Sequence, residues 1–223
     1  MTAKNYRIEI IIVDAGPLIS LARADALELL LIFKDEVRLV ITDFVEFEVT
    51  RNRDKHTDAQ CICDFLTRYA GCVEIQETSI GKTMKQMFQM RQLYEENEIF
   101  RQMMQSNNSE PPAIPKDIDE LSIVSFANEL IVNPPGVPVL ILAEDDFFLH
   151  SGAAVPGNAH ILSTSAFLET LYELGLIQTT CGSAKAVDMI CLSHDISGER
   201  SLNPIRMCWK ALLNNLNLPQ ILV

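Results

Sequence analysis

Long apolar runs are missing from this 223-residue chain. Its longest wholly apolar stretches, such as residues 10–13 and 137–143, fall far below the roughly 20 residues that cross a bilayer, so no membrane span is expected. The opening residues 1–7 lack the basic segment, apolar core and small-residue cleavage site of a secretory signal, which makes a cytoplasmic location the expectation. Paired C-x-x-C spacing is missing as well: Cys61, Cys63, Cys72, Cys181, Cys191 and Cys208 are scattered, which argues against structural zinc and for reduced, buried thiols. Positive charge is scarce, with 18 Lys and Arg against 30 Asp and Glu. The resulting net charge of -12 opposes a nucleic-acid partner, because affinity for a polyanion normally comes from lysines and arginines that release counterions. No internal repeat or low-complexity tract is visible.

What is present belongs to a globular protein. With 48% hydrophobic and 22% charged residues the chain can bury a substantial core, and its length suits one large domain or a domain with an extension. Residues 7–13 form a β-branched run that reads as a strand buried on both faces, ending at Asp14. Ala15, Gly16 and Pro17 read as a turn into a helix. A second strand is expected over 37–41, followed by a helix with Thr42 and Asp43 at its N-cap and Glu46 in capping-box position. Residues 57–69 suit a helix, 71–75 a strand, and 79–105 one or two methionine-rich helices closed by the irregular loop 106–112. A helix over about 117–131, strands over 137–143 and 160–162, and a helix over 163–174 continue the alternation. Repeated strand-helix units predict an α/β fold with an open, mostly parallel sheet and helices on both faces. Beyond Gly175, residues 183–192 and 203–216 read as helices of an appendage, the latter with Ile205, Cys208, Trp209 and Leu212 on one stripe.

Four acids carry the functional reading. In open α/β sheets ligands bind at the carboxyl ends of the strands, where Asp14 and Asp145 both stand. Each alone reads as an ordinary loop or cap aspartate; their shared placement after two strands points to a site. At about 100° per residue, Glu120 lies in line with Val124, Ala127 and Ile131 on a buried stripe, where an ionised acid must neutralise, pair with a base or bind a metal. Its plainer role is that of a first-turn acid complementing the helix dipole, which suits Asp117 and Asp119 better. The capping-box position gives Glu46 a structural task and leaves Glu48 for chemistry, with a surface glutamate as the alternative. Carboxylates gathered without a histidine cluster select Mg²⁺ or Mn²⁺, and such ions clamp phosphates.

These residues resemble the motifs of PIN-domain nucleases. The segment Ile11-Ile12-Val13-Asp14-Ala15-Gly16-Pro17-Leu18-Ile19 is similar to the family's opening strand and first acid. Thr42-Asp43-Phe44-Val45-Glu46-Phe47-Glu48-Val49 resembles its second segment, where a valine three residues before the acid selects Glu48. Asp119-Glu120-Leu121-Ser122-Ile123-Val124-Ser125-Phe126-Ala127 resembles the third, where an acid seven residues before an alanine selects Glu120. Ile141-Leu142-Ala143-Glu144-Asp145-Asp146 resembles the fourth, aligning Asp145 with Asp146 behind it; Ala143 departs from the usual Thr or Ser, a loss that Ser163 and Thr164 of the next strand are placed to offset.

The resemblance covers roughly residues 7–177 and implies a three-layer α/β/α PIN-like domain with a helical insertion at about 79–116, followed by a helical C-terminal extension over 178–223. It implies a divalent-metal-dependent endoribonuclease that leaves a 5′-phosphate. Asp14, Glu120 and Asp145 would ligate Mg²⁺ or Mn²⁺, and Glu48 would ligate metal or orient a water. Many bacterial members are toxins of toxin-antitoxin pairs and form homodimers. RNA, an antitoxin protein and a second copy are therefore the partners it implies.

Two further features bear on this reading. Arg51, Arg53, Lys55 and His56 form the best local basic cluster for a phosphate backbone, or equally a solvated helix end with cations near the C-terminal dipole. The methionines at 84, 87, 90, 103 and 104 are expected to fill core, with a partner surface as the alternative. Two rival functions remain: a silent PIN-like binding or regulatory module, and a phosphoacceptor receiver domain, which needs a lysine late in the sheet where this chain offers nothing basic directly after residues 160–162.

Overall fold

The structure, a computed structural model, describes residues 8–132, 137–144, 147–150 and 155–177. Five strands form its sheet: β1 (Ile10–Val13), β2 (Arg38–Thr42), β3 (Val73–Gln76), β4 (Val139–Leu142) and β5 (Ala159–Leu162). The helices are α1 (Ala15–Arg23), α2 (Asp43–Thr50), α3 (Thr57–Arg68), α4 (Ser79–Glu96), α5 (Glu98–Ser106), α6 (Ile118–Val132), α7 (Phe147–His150) and α8 (Thr164–Glu173), with a 3-10 turn at Leu27–Leu31. Every strand pairing is parallel and the order is β3-β2-β1-β4-β5. The expected α/β class is thus the observed one. The order also differs from the 2-1-3-4-5 order of receiver domains, which removes that rival.

The strand sequences explain their places. All four residues of β1 and of β4 are buried, as are the last four of β2, so the three central strands are apolar without alternation, as a parallel sheet covered on both faces requires. The edge strands β3 and β5 are only partly covered. Helix α1 packs on α3, and α4 packs on α5 and α6, two groups that right-handed crossovers in this strand order place on opposite faces. Helix α2 leaves the carboxyl end of β2 and packs against α1 and α3 on one side and α4 and α6 on the other. Ile12, Leu39, Ile41, Leu140, Ile141 and Leu142 are among the fully buried side chains, each contributing about 1.5–3 kcal/mol of transfer free energy.

Register positions the site. Ile12 pairs with Val40 and with Ile141, and Val13 with Leu142. Carried one residue further, this brings Asp14, Thr42 and Ala143 side by side at the carboxyl edge. The Asp14 amide donates to Leu142 O at 3.0 Å and the Ala143 amide to Leu162 O at 3.0 Å, so the strands end level. The gap between β1 and β4 is where chain order reverses, the usual crevice of such sheets.

Several local expectations need correction. No separate turn follows Asp14, because α1 begins at Ala15. Thr42, not Asp43, is the N-cap of α2: its hydroxyl accepts from the Val45 amide, so Glu46 does not occupy the capping-box position. Methionines 84, 87, 90, 103 and 104 are not core residues; Met90 and Met103 are exposed on α4 and α5, and the others are half-buried. The reason is that α4 and α5 lie over the sheet's partner helices rather than on the sheet, so Gly81 is the single buried residue of α4 and α5 has none. Of the cysteines described, Cys61 is exposed and Cys63 and Cys72 are half-buried, all as free thiols. Residues 178–223, including the helices expected there, lie outside the described residues.

Candidate functional site

Asp14 stands at the N-cap position of α1 with extended backbone, yet its side chain makes no capping hydrogen bond. It is 2% exposed at the end of β1. The cap reading therefore does not account for it. On α6, Glu120 is 5% exposed and heads a buried stripe with Ile123, Ala127 and Leu130. Its helix is held to the strand edge by Ser122, whose hydroxyl meets the Thr42 hydroxyl at 2.7 Å and donates to Asp119 O at 2.7 Å. That contact ties the start of α2 to the first turn of α6. Glu48, half-buried on α2, faces the same first turn.

The acids act on one another. Burial, then the charge and hydrogen bond of the Asp119 carboxyl, push Glu48 up to about 7, while Arg51 pulls it partly back. Burial, then the hydrogen bond and charge of the same Asp119, push Glu120 up to about 9, with Asp14 adding to the rise. Hydrogen bonds between carboxyl groups require a proton on one of them, so without a cation this cluster holds protons that isolated glutamates release. Asp119 is the member that sequence reading missed, having been assigned to the helix dipole. Its signal was its place beside Glu120: one residue back turns a helical side chain by about 100°, here toward α2.

Three of the four predicted acids are thus linked in series: Asp14 acts on Glu120, Glu120 on the shared neighbour Asp119, and Asp119 on Glu48. Asp145, the fourth, and Asp146 lie outside the described residues. Their neighbour Glu144 accepts from the Ser20 hydroxyl at 2.9 Å and packs on Gly16 in α1, which carries the chain leaving β4 past the first turn after Asp14. Ala143, 4% exposed, brings no hydroxyl. Of the residues expected to offset this, Ser163 uses its hydroxyl to cap α8. Thr164 is fully buried and its hydroxyl has no hydrogen-bond partner among the described residues.

The donor set suits a hard divalent cation. Glu120 Oε2 is buried without a hydrogen-bond partner, and Glu48, Asp119 and Glu120 make no ion pair with any Lys, Arg or His among the described residues. Oxygen-only ligands without histidine fit Mg²⁺ or Mn²⁺. Among the described residues, no three His, Cys, Asp or Glu side chains form a ready metal cage. Asp145 is not among them.

A second acid on α2 shows what a structural carboxylate looks like here. Asp43, 3% exposed, accepts from the Thr78 amide and hydroxyl, each at 3.0 Å, and pairs with Lys85 at 3.3 Å. Gly81 in the first turn of α4 packs so closely on this carboxylate that any Cβ would overlap it. Asp43 therefore fastens α4 to α2. Phe88 adds to the joint, 5.9 Å from Phe44 and 5.5 Å from Phe47 between ring centroids.

Compared with family models, curated proteins and solved structures, the chain matches none. Fold and site geometry carry the functional reading.

Proposed function

We propose that this chain is a divalent-metal-dependent nuclease of the PIN type that hydrolyses RNA phosphodiester bonds. The observation that carries the reading is the series of carboxyl neighbours that links Asp14 to Glu120, Glu120 to Asp119 and Asp119 to Glu48, drawn from a strand end and two helices that are distant in sequence. A purely structural role would call for close donors of the kind Asp43 has in Thr78 and Lys85, whereas Glu48, Asp119 and Glu120 form no ion pair among the described residues and Glu120 Oε2 is buried without a hydrogen-bond partner. A ligand role calls for this arrangement.

In this reading Asp14, Glu120 and Asp145 would hold the ion, which when bound would supply charge neutralisation at the phosphate and lower the pKa of water. Glu48, raised to about 7, is suited to accept or return a proton at neutral pH. Asp119 is a positioning residue that holds Glu48 and Glu120 together. The toxin role, with an antitoxin partner and a homodimer, belongs to the same reading by resemblance.

The test is direct. Asp14→Asn should abolish Mn²⁺-dependent cleavage of RNA to 5′-phosphate ends, and unchanged cutting by that variant refutes the proposal. The rival reading is a silent module, favoured by the missing hydroxyl at Ala143. It predicts no rise in melting temperature with millimolar Mn²⁺, whereas an intact site gives one that grows with metal concentration.

A further inference from the structure

Arg51 is the one arginine among the described residues whose guanidinium has no polar partner. Arg23 binds Asp58, Arg38 binds Glu74, Arg68 reaches Glu28, Arg91 binds Glu95, Arg101 donates to the Tyr94 and Glu95 carbonyls, and Arg53 donates to the Cys63 sulfur. Arg51 instead lies over two aromatic rings, 5.0 Å from the Phe88 centroid and 6.0 Å from that of Phe47. Those rings pack edge to face and are fixed by the α2–α4 joint.

A cation–π contact of this kind holds a guanidinium beside the rings without using its N–H donors, which stay available for bidentate contact with phosphate. The position is telling too. Arg51, the C-cap residue of α2, is three residues beyond Glu48, one helical turn away, and is the cation that offsets part of the rise at Glu48. In a chain of net charge -12, this places an uncommitted, pre-oriented cation at the rim of the acid cluster.

We infer that Arg51 binds a backbone phosphate of single-stranded RNA next to the one that is cut, with Phe47 and Phe88 as its platform. The inference rests on the nuclease reading and narrows the basic cluster 51–56 to one residue. Arg53 is committed to Cys63, and neither Lys55 nor His56 is held against a ring. Arg51 supplies affinity and register for the strand, while the acids supply the chemistry.

The experiment measures binding of a fluorescein-labelled single-stranded RNA by anisotropy in the Glu120→Gln background, across a salt series, with cleavage kinetics in the wild-type background. Arg51→Ala should weaken binding roughly tenfold and reduce the slope of log affinity against log salt by about 0.7. In cleavage it should raise KM with kcat within about threefold, the pattern of lost ground-state binding. Arg51→Lys should restore the salt slope but not the full affinity, and Phe88→Leu should weaken binding with the slope intact. The Mn²⁺ concentration giving half-maximal thermal stabilisation should stay unchanged in Arg51→Ala. Equal RNA affinity and salt slope for Arg51→Ala and its parent would overturn the inference, as would a loss confined to kcat with altered Mn²⁺ binding. Should the wild type cut no RNA, the nuclease reading fails, and the binding comparison still decides the role of Arg51.

Discussion

Asp43 and Glu48 stand five positions apart on one helix, and both carry a carboxylate into the protein. Asp43 meets a backbone amide, a hydroxyl and a lysine. Glu48 meets Asp119, and through it Glu120. A buried carboxylate surrounded by donors is compensated and holds elements together; one surrounded by other carboxylates is not, and persists where it serves a ligand. Burial alone does not separate the two kinds of acid. The identity of the neighbours does.

The contrast makes opposite predictions for neighbouring acids, and the largest is at the acid cluster. Glu120→Gln should lower metal-dependent RNA cleavage by about a hundredfold or more, a loss at least as large as that from removing a group behind a metal ligand. The same variant should leave the metal-free protein at least as stable as the parent, read as the urea midpoint, because it removes a carboxyl crowded by others. A metal-free Glu120→Gln protein that is markedly less stable would erase the distinction drawn here.

Next in size come changes at the compensated acid. Asp43→Ala strands the Thr78 amide and leaves Lys85 only its 4.0 Å contact with Glu46, and Gly81→Ala forces the α4 backbone away from the carboxylate. Each should cost about 2–4 kcal/mol in chemical denaturation, with the metal requirement unchanged. Stabilities within about 0.5 kcal/mol of the parent would show that the α2–α4 joint does not depend on this acid.

The pH dependence sharpens the comparison further. Folding raises Glu48 to about 7 and Glu120 to about 9 from an ordinary 4.5, so the folded chain keeps protons that the unfolded chain releases. Their contribution to stability is complete below pH 4.5, declines as the unfolded chain ionises, and is gone once pH has risen through the folded values. The metal-free protein should therefore melt at progressively lower temperature between pH 5 and pH 9. Glu120→Gln should flatten that slope, and a slope unchanged by it would remove Glu120 from the cluster. Mn²⁺ should act in the opposite sense, stabilising more as pH rises, because it binds the deprotonated acids.

Ser20→Ala tests the weakest link. Its hydroxyl holds Glu144 at the exit of β4, and its loss should cost about 1 kcal/mol in denaturant titrations, with a cleavage defect far smaller than that of Glu120→Gln. A defect as large as at Glu120 would make the Glu144 tether part of the site itself.

Much of the architecture was legible because it is written locally. The β-branched runs of β1, β2 and β4 signal strands buried on both faces, and the Asn-Pro-Pro-Gly segment after α6 punctuates the chain before β4. Asp14 was legible from its position after a strand, and Glu120 from its apolar stripe. What local pattern does not carry is contact across the sequence. The partner of Asp43 lies 35 residues away at Thr78, so a tertiary contact was read as a cap. Asp119 looked like a dipole acid because its neighbours come from α2, and the methionines of α4 and α5 looked like core because periodicity does not reveal that a helix lies two layers from the sheet.

Between α5 and α6 the chain crosses residues 107–117, most of them exposed. That crossing parts Asp14 and Glu48 from Asp119 and Glu120, so severing it would yield one fragment with half of the acids and a second with the remainder. On the proposed nuclease reading, neither piece would cut by itself. Scission in that loop would turn the protein into a two-component device, its output governed by whether the fragments find each other.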